Sequence, residues 1–393
     1  MFKRLAPPVE LEEEVLSFWD EERIFERSLE QGEGRPRWVF YEGPPTANGT
    51  PHNGHVLTRV IKDVFPRYRT MRGYHVDRKA GWDTHGLPVE VEVEKSLGIH
   101  GREQIEAYGI EAFAHQCIQS VFEYTREWEQ LTRQIGFWVD LEEAYVTYHR
   151  EYVESVWWAL STLFDKGLLY QGHKVVWWWP QGGTALSAGE VGQGYKQVTD
   201  PAVTVRFRDA DEPGVAYLAW TTTPWTLPSN VALAVGLDVD YVYCDDPAGE
   251  GEVVLAAALA ADYGLEPRRT VKGADLLGKR YLPLYDFGAP EGGEAFVIVS
   301  GAHVTTTAGT GIVHTAPAFG EEDMEVAKEQ GLGLLQWIEP SGRFKPGTGF
   351  LAGQFCKDAD PAIIADLKER GLLFKRDQVV HDYPFSGVPR RTR

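Results

Sequence analysis

Apolar side chains recur along this chain with two different periods, and the change of period divides it. Leu11, Val15, Phe18, Trp19 and Ile24, set among Glu and Arg, predict an amphipathic helix within 9–30. Val56, Val60, Ile61, Val64, Phe65 and Tyr68, interleaved with Arg59, Lys62, Asp63 and Arg67, predict a second. Between them Trp38-Val39-Phe40-Tyr41 has the length and composition of a strand. Met71 to Val76 reads as a helix end, terminated by Gly73, that runs into another strand. Strand, helix, strand is a β-α-β unit, the beginning of a parallel nucleotide-binding sheet. Residues 102–132 are helical in character, and Phe137 to Asp140 and Tyr145 precede a helix over roughly Glu151 to Leu169. The stripe Val153, Val156, Trp157, Leu160, Leu163 and Phe164 on that helix is expected to pack into the core. Val175 to Trp179 predicts a strand that Pro180 ends.

After Gly194 the period shortens. Val203 to Phe207, Tyr217 to Trp220, Tyr241 to Tyr243, Val253 to Leu255 and Phe296 to Val299 are short strand-like runs separated by Gly, Pro and Asp. They predict a small β-rich barrel inserted into the α/β host. The expected fold class is therefore α/β: the first half of a Rossmann-like parallel sheet with an inserted barrel. The expected boundaries are 1–194 for the nucleotide-binding part, 195–380 for the insertion and 381–393 for an aberrant tail.

Composition changes this picture little. The 393 residues are 43% hydrophobic and 25% charged, as in a water-soluble globular protein of two or three domains. No run approaches the roughly 20 apolar residues of a membrane span, and no leader is evident, so a cytoplasmic protein without a membrane partner is expected. Three scattered cysteines, Cys117, Cys244 and Cys356, and the lack of any CxxC argue against disulfides or a cysteine zinc site. The net charge of −19 opposes a nucleic-acid partner in bulk but not in a local basic groove, and Arg59, Lys62, Arg67, Arg69 and Arg72 are dense.

The candidate chemistry starts in the loop between the first strand and its helix. Tyr41-Glu42-Gly43-Pro44-Pro45-Thr46-Ala47-Asn48-Gly49-Thr50-Pro51-His52-Asn53-Gly54-His55 places two histidines at a helix start, where free N–H groups and the helix dipole favour phosphate. Gly-x-Pro-x-Ala-Asn-Gly joined to His-x-Gly-His resembles the HIGH signature of class I aminoacyl-tRNA synthetases, in its isoleucyl form. The resemblance implies that His52, Gly54 and His55 contact ATP phosphates and that His52 and His55 stabilise the transition state of adenylate formation. It also implies that Gly43 and Pro44 border the amino acid. Just past the second strand, Gly81-Trp82-Asp83-Thr84-His85-Gly86-Leu87-Pro88 resembles a second isoleucyl motif, in which Asp83 receives the substrate ammonium. Taken alone, Asp83 could equally cap a local turn. His85 and Leu87-Pro88 fit isoleucyl enzymes better than valyl or leucyl ones.

Two polar clusters mark the insertion: Trp220 to Asn230, with Thr221, Thr222 and Thr223, and Gly309 to Asp323, with His314. The threonines also suit strand-end turns, and Asp323 also suits the first turn of a helix over Met324 to Gly331. Together they resemble the editing domain of isoleucyl-, valyl- and leucyl-tRNA synthetases. The resemblance gives Asp323 the ammonium of a wrongly attached amino acid, His314 a part in shaping the pocket, and the threonines the ester and a water. Hydrolysis of an activated ester needs an oriented water and oxyanion donors, not a metal or a triad.

The resemblance implies a ligase that joins isoleucine to tRNA(Ile) with ATP and Mg²⁺, acts as a monomer, and edits valyl-tRNA(Ile). The chain departs from the family twice. Trp179 and Gly182 stand where many isoleucyl enzymes carry Cys-x-x-Cys, so zinc is not supported. After Tyr383-Pro384 the family continues into Cys-Trp-Arg, a Lys-Met-Ser-Lys-Ser loop and an anticodon-binding domain. Ser386-Gly387-Val388 is what a one-base loss from Cys-Trp-Arg codons would encode, so a frameshift product or gene fragment is expected. A lone editing hydrolase, an inactive fragment and a valyl enzyme are the other readings. The chain by itself is expected to show little or no isoleucine-dependent pyrophosphate exchange, and robust exchange by the purified chain would contradict that.

Overall fold

The computed structural model describes residues 7–47, 49–192, 195–249 and 251–384. Of the aberrant tail expected at 381–393, residues 381–384 are described and 385–393 lie outside the described residues. The chain falls into two compact units, Met1–Gln171 and Gly172–Arg393.

The first unit contains α1 (Pro8–Glu21), α2 (Ile24–Glu30), α3 (Asn53–Met71), β1 (Lys79–Trp82), α4 (Leu87–Leu97), α5 (Arg102–Tyr108), α6 (Ile110–Val121), α7 (Thr125–Gln134), β2 (Asp140–Val146) and α8 (Arg150–Asp165). β1 and β2 pair in parallel, Lys79 opposite Asp140 and Trp82 opposite Val146. Parallel strands need a crossover, and α4 to α7 supply it. Trp82, Trp128, Val146 and Ala47 form the core beside this pair. Gly81 permits close packing at its centre, because a Cβ there would run into the Tyr145 ring. The Tyr145 hydroxyl then donates to the Glu42 carbonyl at 2.8 Å, which ties the sheet to the Gly-Pro loop.

Three expectations need correction here. The strand expected within 71–76 begins only at Lys79. The cause is the end of α3, where the Gly73 N–H bonds the Thr70 carbonyl and the Tyr74 N–H bonds the Arg69 carbonyl, with Gly73 at φ +87°. This left-handed termination uses residues through Tyr74. Trp38 to Tyr41 forms no ladder strand: it pairs with the chain beyond α3 through the isolated bridge of Arg37 with His75 and the Trp38 N–H bond to the His75 carbonyl, while Phe40 packs against Ala80, Phe137 and Val139. The apolar stripe of α8, expected in the core, is at the surface: no residue of α8 is buried, and Trp157 and Phe164 are each 66% exposed. Period identifies an apolar face but not what covers it.

The second unit opens with a small hairpin, β3 (Trp178–Trp179) and β4 (Thr184–Ala185), and a short α9 (Ala188–Gly192). There follow β5 (Tyr195–Arg208), β6 (Val215–Thr221), β7 (Ala232–Val235), β8 (Asp240–Asp245), β9 (Glu252–Ala256), β10 (Pro267–Lys272), β11 (Val297–Ser300), β12 (Ile312–Thr315), α10 (Glu321–Gln330), α11 (Asp360–Glu369) and β13 (Leu373–Pro384). β5 to β13 make one nine-stranded sheet in the order β10-β8-β9-β6-β12-β7-β11, with β5 on the other side of β6 and β13 beyond it. The segment around Tyr281 links the far strand back to β5: the Tyr281 N–H bonds the Phe296 carbonyl, and the Leu282 N–H bonds the Arg208 carbonyl at 2.8 Å. These bonds close the curled sheet into a barrel. Its interior holds Val203, Val205, Phe207, Tyr217, Leu233, Tyr241 and Ile298, sealed by Ile363, Ile364 and Leu367 of α11.

A buried ion pair anchors β5. Arg206 donates through Nε and Nη2 to the two oxygens of Asp246 at 2.7 and 2.8 Å, and through Nη1 to the Leu373 carbonyl of β13 at 2.9 Å. Burial raises the Asp246 pKa, but the guanidinium bonds, the Ala248 N–H and the Arg206 charge together outweigh it and hold the carboxyl below its ordinary value. Asp246→Ala would strand a buried guanidinium, so it is expected to cost about 3–5 kcal/mol. Urea unfolding of the second unit, followed by near-ultraviolet circular dichroism, measures this; a loss under about 1 kcal/mol would contradict it.

Candidate functional site

Each unit holds one cavity lined by residues that the sequence singles out. The first begins where α3 starts. His52 is its N-cap, extended at φ −129° and ψ 172°. Its Nδ1 accepts the Gly54 N–H at 3.1 Å, while His55 Nδ1 accepts the His52 N–H at 3.1 Å. The two imidazoles thus make a reciprocal capping box, the task usually given to Ser and Glu. Their rings stack with centroids 3.7 Å apart, and Trp128 lies 4.6 Å from His55. Burial, then the neighbouring His52 and Arg59, lowers the His55 pKa. With Nδ1 accepting, the proton of each neutral ring belongs on Nε2, which is left as a donor.

Arg59 and Lys62 follow His55 by four and seven residues and share its helix face. Together with Glu42, Gly43, Thr46, Thr50, Thr58 and Trp128 they line a cavity of about 320 Å³. Arg59 is buried, its guanidinium 4.7 Å from the Trp128 ring and 2.6 Å from the Thr132 hydroxyl. Burial lowers its pKa, and Glu42 pulls the other way. Lys62 Nζ donates to Glu42 Oε1 at 2.8 Å and to the Gly43 carbonyl at 3.2 Å. The other Glu42 oxygen is buried without a protein partner. A helix N-terminus, two imidazole donors and two cations are the chemistry that holds a polyphosphate.

Gly43 and His55 line this cavity, whereas Pro44, His52, Gly54 and Asp83 do not. Asp83 sits just beyond β1, where its N–H bonds the Pro45 carbonyl at 3.0 Å and its Oδ1 accepts the His85 N–H at 3.3 Å. It therefore makes a local turn bond as well as standing at the loop. Asn48 lies outside the described residues. Sequence reading missed Glu42 and Trp128, and took Arg59 and Lys62 only as basic density. Their spacing from His55 was the available signal.

The second cavity, of about 380 Å³, is lined by Thr221, Thr222, Thr223, Thr226, His303, Thr310, His314 and Asp323 among others. The five editing candidates are thus brought together from three elements: the end of β6, β12 and the first turn of α10. Thr221 Oγ1 accepts the Thr223 N–H at 3.1 Å and lies 3.1 Å from Thr223 Oγ1. The Thr226 hydroxyl donates to the Thr223 carbonyl at 2.8 Å. His314 is buried, with Nδ1 2.8 Å from Asn230 Nδ2 and Nε2 3.0 Å from Thr226 Oγ1. Asn230 Nδ2 is a donor, so His314 Nδ1 accepts and Nε2 carries the proton. Burial pushes its pKa down to about 4. Asp323 Oδ2 accepts the Ala316 N–H at 2.8 Å. Burial raises the Asp323 pKa, against the opposing pull of that bond and of His303. An acid beside hydroxyls and a fixed imidazole suits an ammonium and a polarised ester. Thr226 and His303 were missed; Thr226 follows Thr223 by three residues in the turn Pro224–Ser229.

At the departure from the family motif, the Trp179 ring occupies the space beside Gly182, where even a Cβ would collide with it. The Trp178 indole N–H donates to the Pro340 carbonyl at 2.7 Å. Aromatic packing closes this turn. Among the described residues, no three or more His, Cys, Asp or Glu side chains are grouped to hold a metal ion. No helix among them is long and apolar enough to cross a membrane.

The family model described as tRNA synthetases class I (I, L, M and V) matches residues 14–337. The isoleucine–tRNA ligase of Clostridium kluyveri is 49% identical over 96% of this chain, of which the match covers 36% of the relative's own length. Those of Thermus thermophilus and Thermobifida fusca are 48% and 50% identical over 98% and 95% of the chain, covering 37% and 36% of theirs. The chain thus spans little more than a third of these relatives. The crystal structure of GlLeuRS-CP1 superposes with a TM-score of 0.37 at 15% identity, covering 46% of this chain and 99% of that one.

The buried His314 makes a pH prediction. Its pKa falls from 6.5 in the unfolded chain to about 4 in the folded one. Stability is therefore fully present above pH 6.5 and is lost as pH falls toward 4, by on the order of 3 kcal/mol. Urea midpoints of the second unit should fall across that window in the parent chain and fall less in His314→Gln. Equal slopes in the two proteins would contradict the assignment.

Proposed function

The chain belongs to the class I tRNA synthetases of the isoleucine, leucine, methionine and valine group, and from that premise we propose that it carries two chemical centres of an isoleucine–tRNA ligase. One forms the adenylate, in the first unit; the other edits, in the second. The observation that carries this reading is the contrast between the two cavities. One is cationic and built on a helix N-terminus; the other sets an acid among hydroxyls. Identity of 49% to an isoleucine–tRNA ligase supports isoleucine over valine.

In the first cavity, the Nε2–H donor of His55 and the cations of Arg59 and Lys62 hold ATP phosphates, with His52 beside it at the helix start. Gly43 borders isoleucine from the cavity, while Pro44 and Asp83, in the loops outside its lining, border isoleucine and hold its ammonium. The nucleophile is the substrate carboxylate, which attacks the α-phosphorus as pyrophosphate leaves. The protein works by aligning the two substrates and stabilising charge on the phosphoryl oxygens. Mg²⁺ would enter with ATP and share that charge. The isoleucyl group then passes to the terminal ribose of tRNA(Ile).

In the second cavity, water attacks the ester carbonyl of valyl-tRNA(Ile) and releases valine and tRNA. Asp323 holds the valine ammonium, while Thr221, Thr222 and Thr223 orient water and ester. His314 is neutral and donates to Thr226, so it shapes the site rather than taking a proton. Editing is needed because one missing methylene is worth only roughly 1–3 kcal/mol in an apolar pocket; isoleucine against valine is the standard example of that limit.

Two variants test the assignments separately. His55→Ala removes the Nε2 donor together with the acceptor for the His52 N–H. It should weaken ATP binding to the chain roughly tenfold in isothermal titration calorimetry, the effect of one lost bond to a charged group. Asp323→Ala should abolish deacylation of valyl-tRNA(Ile) and leave ATP binding unchanged. ATP affinity indifferent to His55→Ala, or deacylation indifferent to Asp323→Ala, removes the corresponding site.

A further inference from the structure

The hydrogen-bond chain that ends on Thr223 does not begin at His314. Tyr281 lies in the segment that closes the barrel, 2% exposed and outside the cavity lining. Its ring is fixed edge-on by Phe207 and Phe296, at centroid distances of 5.4 and 6.1 Å. Its hydroxyl donates to Asn230 Oδ1 at 2.6 Å. Asn230 then donates through Nδ2 to the Ala232 carbonyl at 2.9 Å and to His314 Nδ1 at 2.8 Å. His314 donates through Nε2 to Thr226 Oγ1 at 3.0 Å, and Thr226 donates to the Thr223 carbonyl at 2.8 Å.

Two anchors fix the Asn230 amide, the Tyr281 hydroxyl at its oxygen and the Ala232 carbonyl at its nitrogen, and the directions beyond it follow. The Ala232 carbonyl can only accept, so Asn230 must turn its nitrogen to Ala232 and His314, and its oxygen is left to take the Tyr281 proton. That makes His314 Nδ1 an acceptor and Nε2 a donor. Thr226, receiving this proton, turns its own toward Thr223. The cavity threonines are thereby linked to a tyrosine that lies outside the cavity lining.

We propose that Tyr281 is a positioning residue for the editing centre, whose hydroxyl orders the Asn230 amide, the His314 ring and the Thr223–Thr226 turn. The proposal rests on reading the second cavity as hydrolytic. Burial keeps the phenol protonated, so the donor is present at every pH at which the protein works. Without the hydroxyl, Asn230 Oδ1 is buried with no donor, and one of the two anchors of the amide is lost.

Tyr281→Phe in the full 393-residue chain removes that hydroxyl and keeps the ring packing. Single-turnover deacylation of valyl-tRNA(Ile) should slow by roughly tenfold with KM little changed. The same substitution made on an Asn230→Ala chain should cost nothing further, because the series is already broken there. A wild-type rate in Tyr281→Phe, or an equal loss in both backgrounds, overturns the proposal. Nitrogen-15 NMR of the His314 ring supplies a readout free of substrate. The parent should show one sharp Nε2–H tautomer, and Tyr281→Phe a tautomer mixture or broadened signals. A sharp single tautomer in the variant also overturns it. If the parent chain fails to deacylate, the hydrolytic reading falls, and the NMR comparison alone decides whether Tyr281 orders His314.

Discussion

Three of the described imidazoles accept an N–H at Nδ1, and two of them, His55 and His314, line the two cavities. Gly54 and His52 supply the N–H groups for His52 and His55, and Asn230 supplies one for His314. Burial lowers the pKa of His55 and of His314, so each of these two rings is a neutral donor at Nε2. At the start of α3 this serves twice: the accepting nitrogens cap the helix, and the donating ones remain for a ligand. In the barrel it makes His314 a spacer that passes hydrogen-bond direction from the wall to the threonines. A charged imidazole would break either arrangement, since Nδ1 would then repel the N–H it now accepts.

The surroundings follow from keeping those rings in place. Tyr145, lying over Gly81, reaches the Glu42 carbonyl, and Lys62 bonds both the Glu42 carboxylate and the Gly43 carbonyl. Loop, sheet and helix are thus tied within a few residues of His55. In the barrel, the Tyr281 segment joins β11 to β5, so the bonds that close the wall and the bond that orients Asn230 share one short stretch.

Much of this was legible in the sequence where one local rule sufficed. The apolar spacing of Val56 to Tyr68 and the terminating Gly73 located α3, and alternation located β5, β6, β8, β9 and β11. The family motifs singled out His55, His314 and Asp323. Features that depend on distant partners were not legible. β7 is Ala232-Leu233-Ala234-Val235, buried throughout, so it shows no alternation. β1 was placed too early because the end of α3 runs on through Tyr74. The α8 stripe was put in a core because period cannot report exposure. Tyr281 lies 51 residues from Asn230 and carries no motif at all.

The central claim is that the second unit holds a hydrolytic site sized for the smaller of two amino acids. The most direct measurement is the ratio of single-turnover hydrolysis rates of valyl-tRNA(Ile) and isoleucyl-tRNA(Ile) by the purified chain. The account predicts that the valyl ester is hydrolysed at least roughly tenfold faster, the discrimination of about one methylene. Equal rates for the two esters, or no hydrolysis of either, would contradict it.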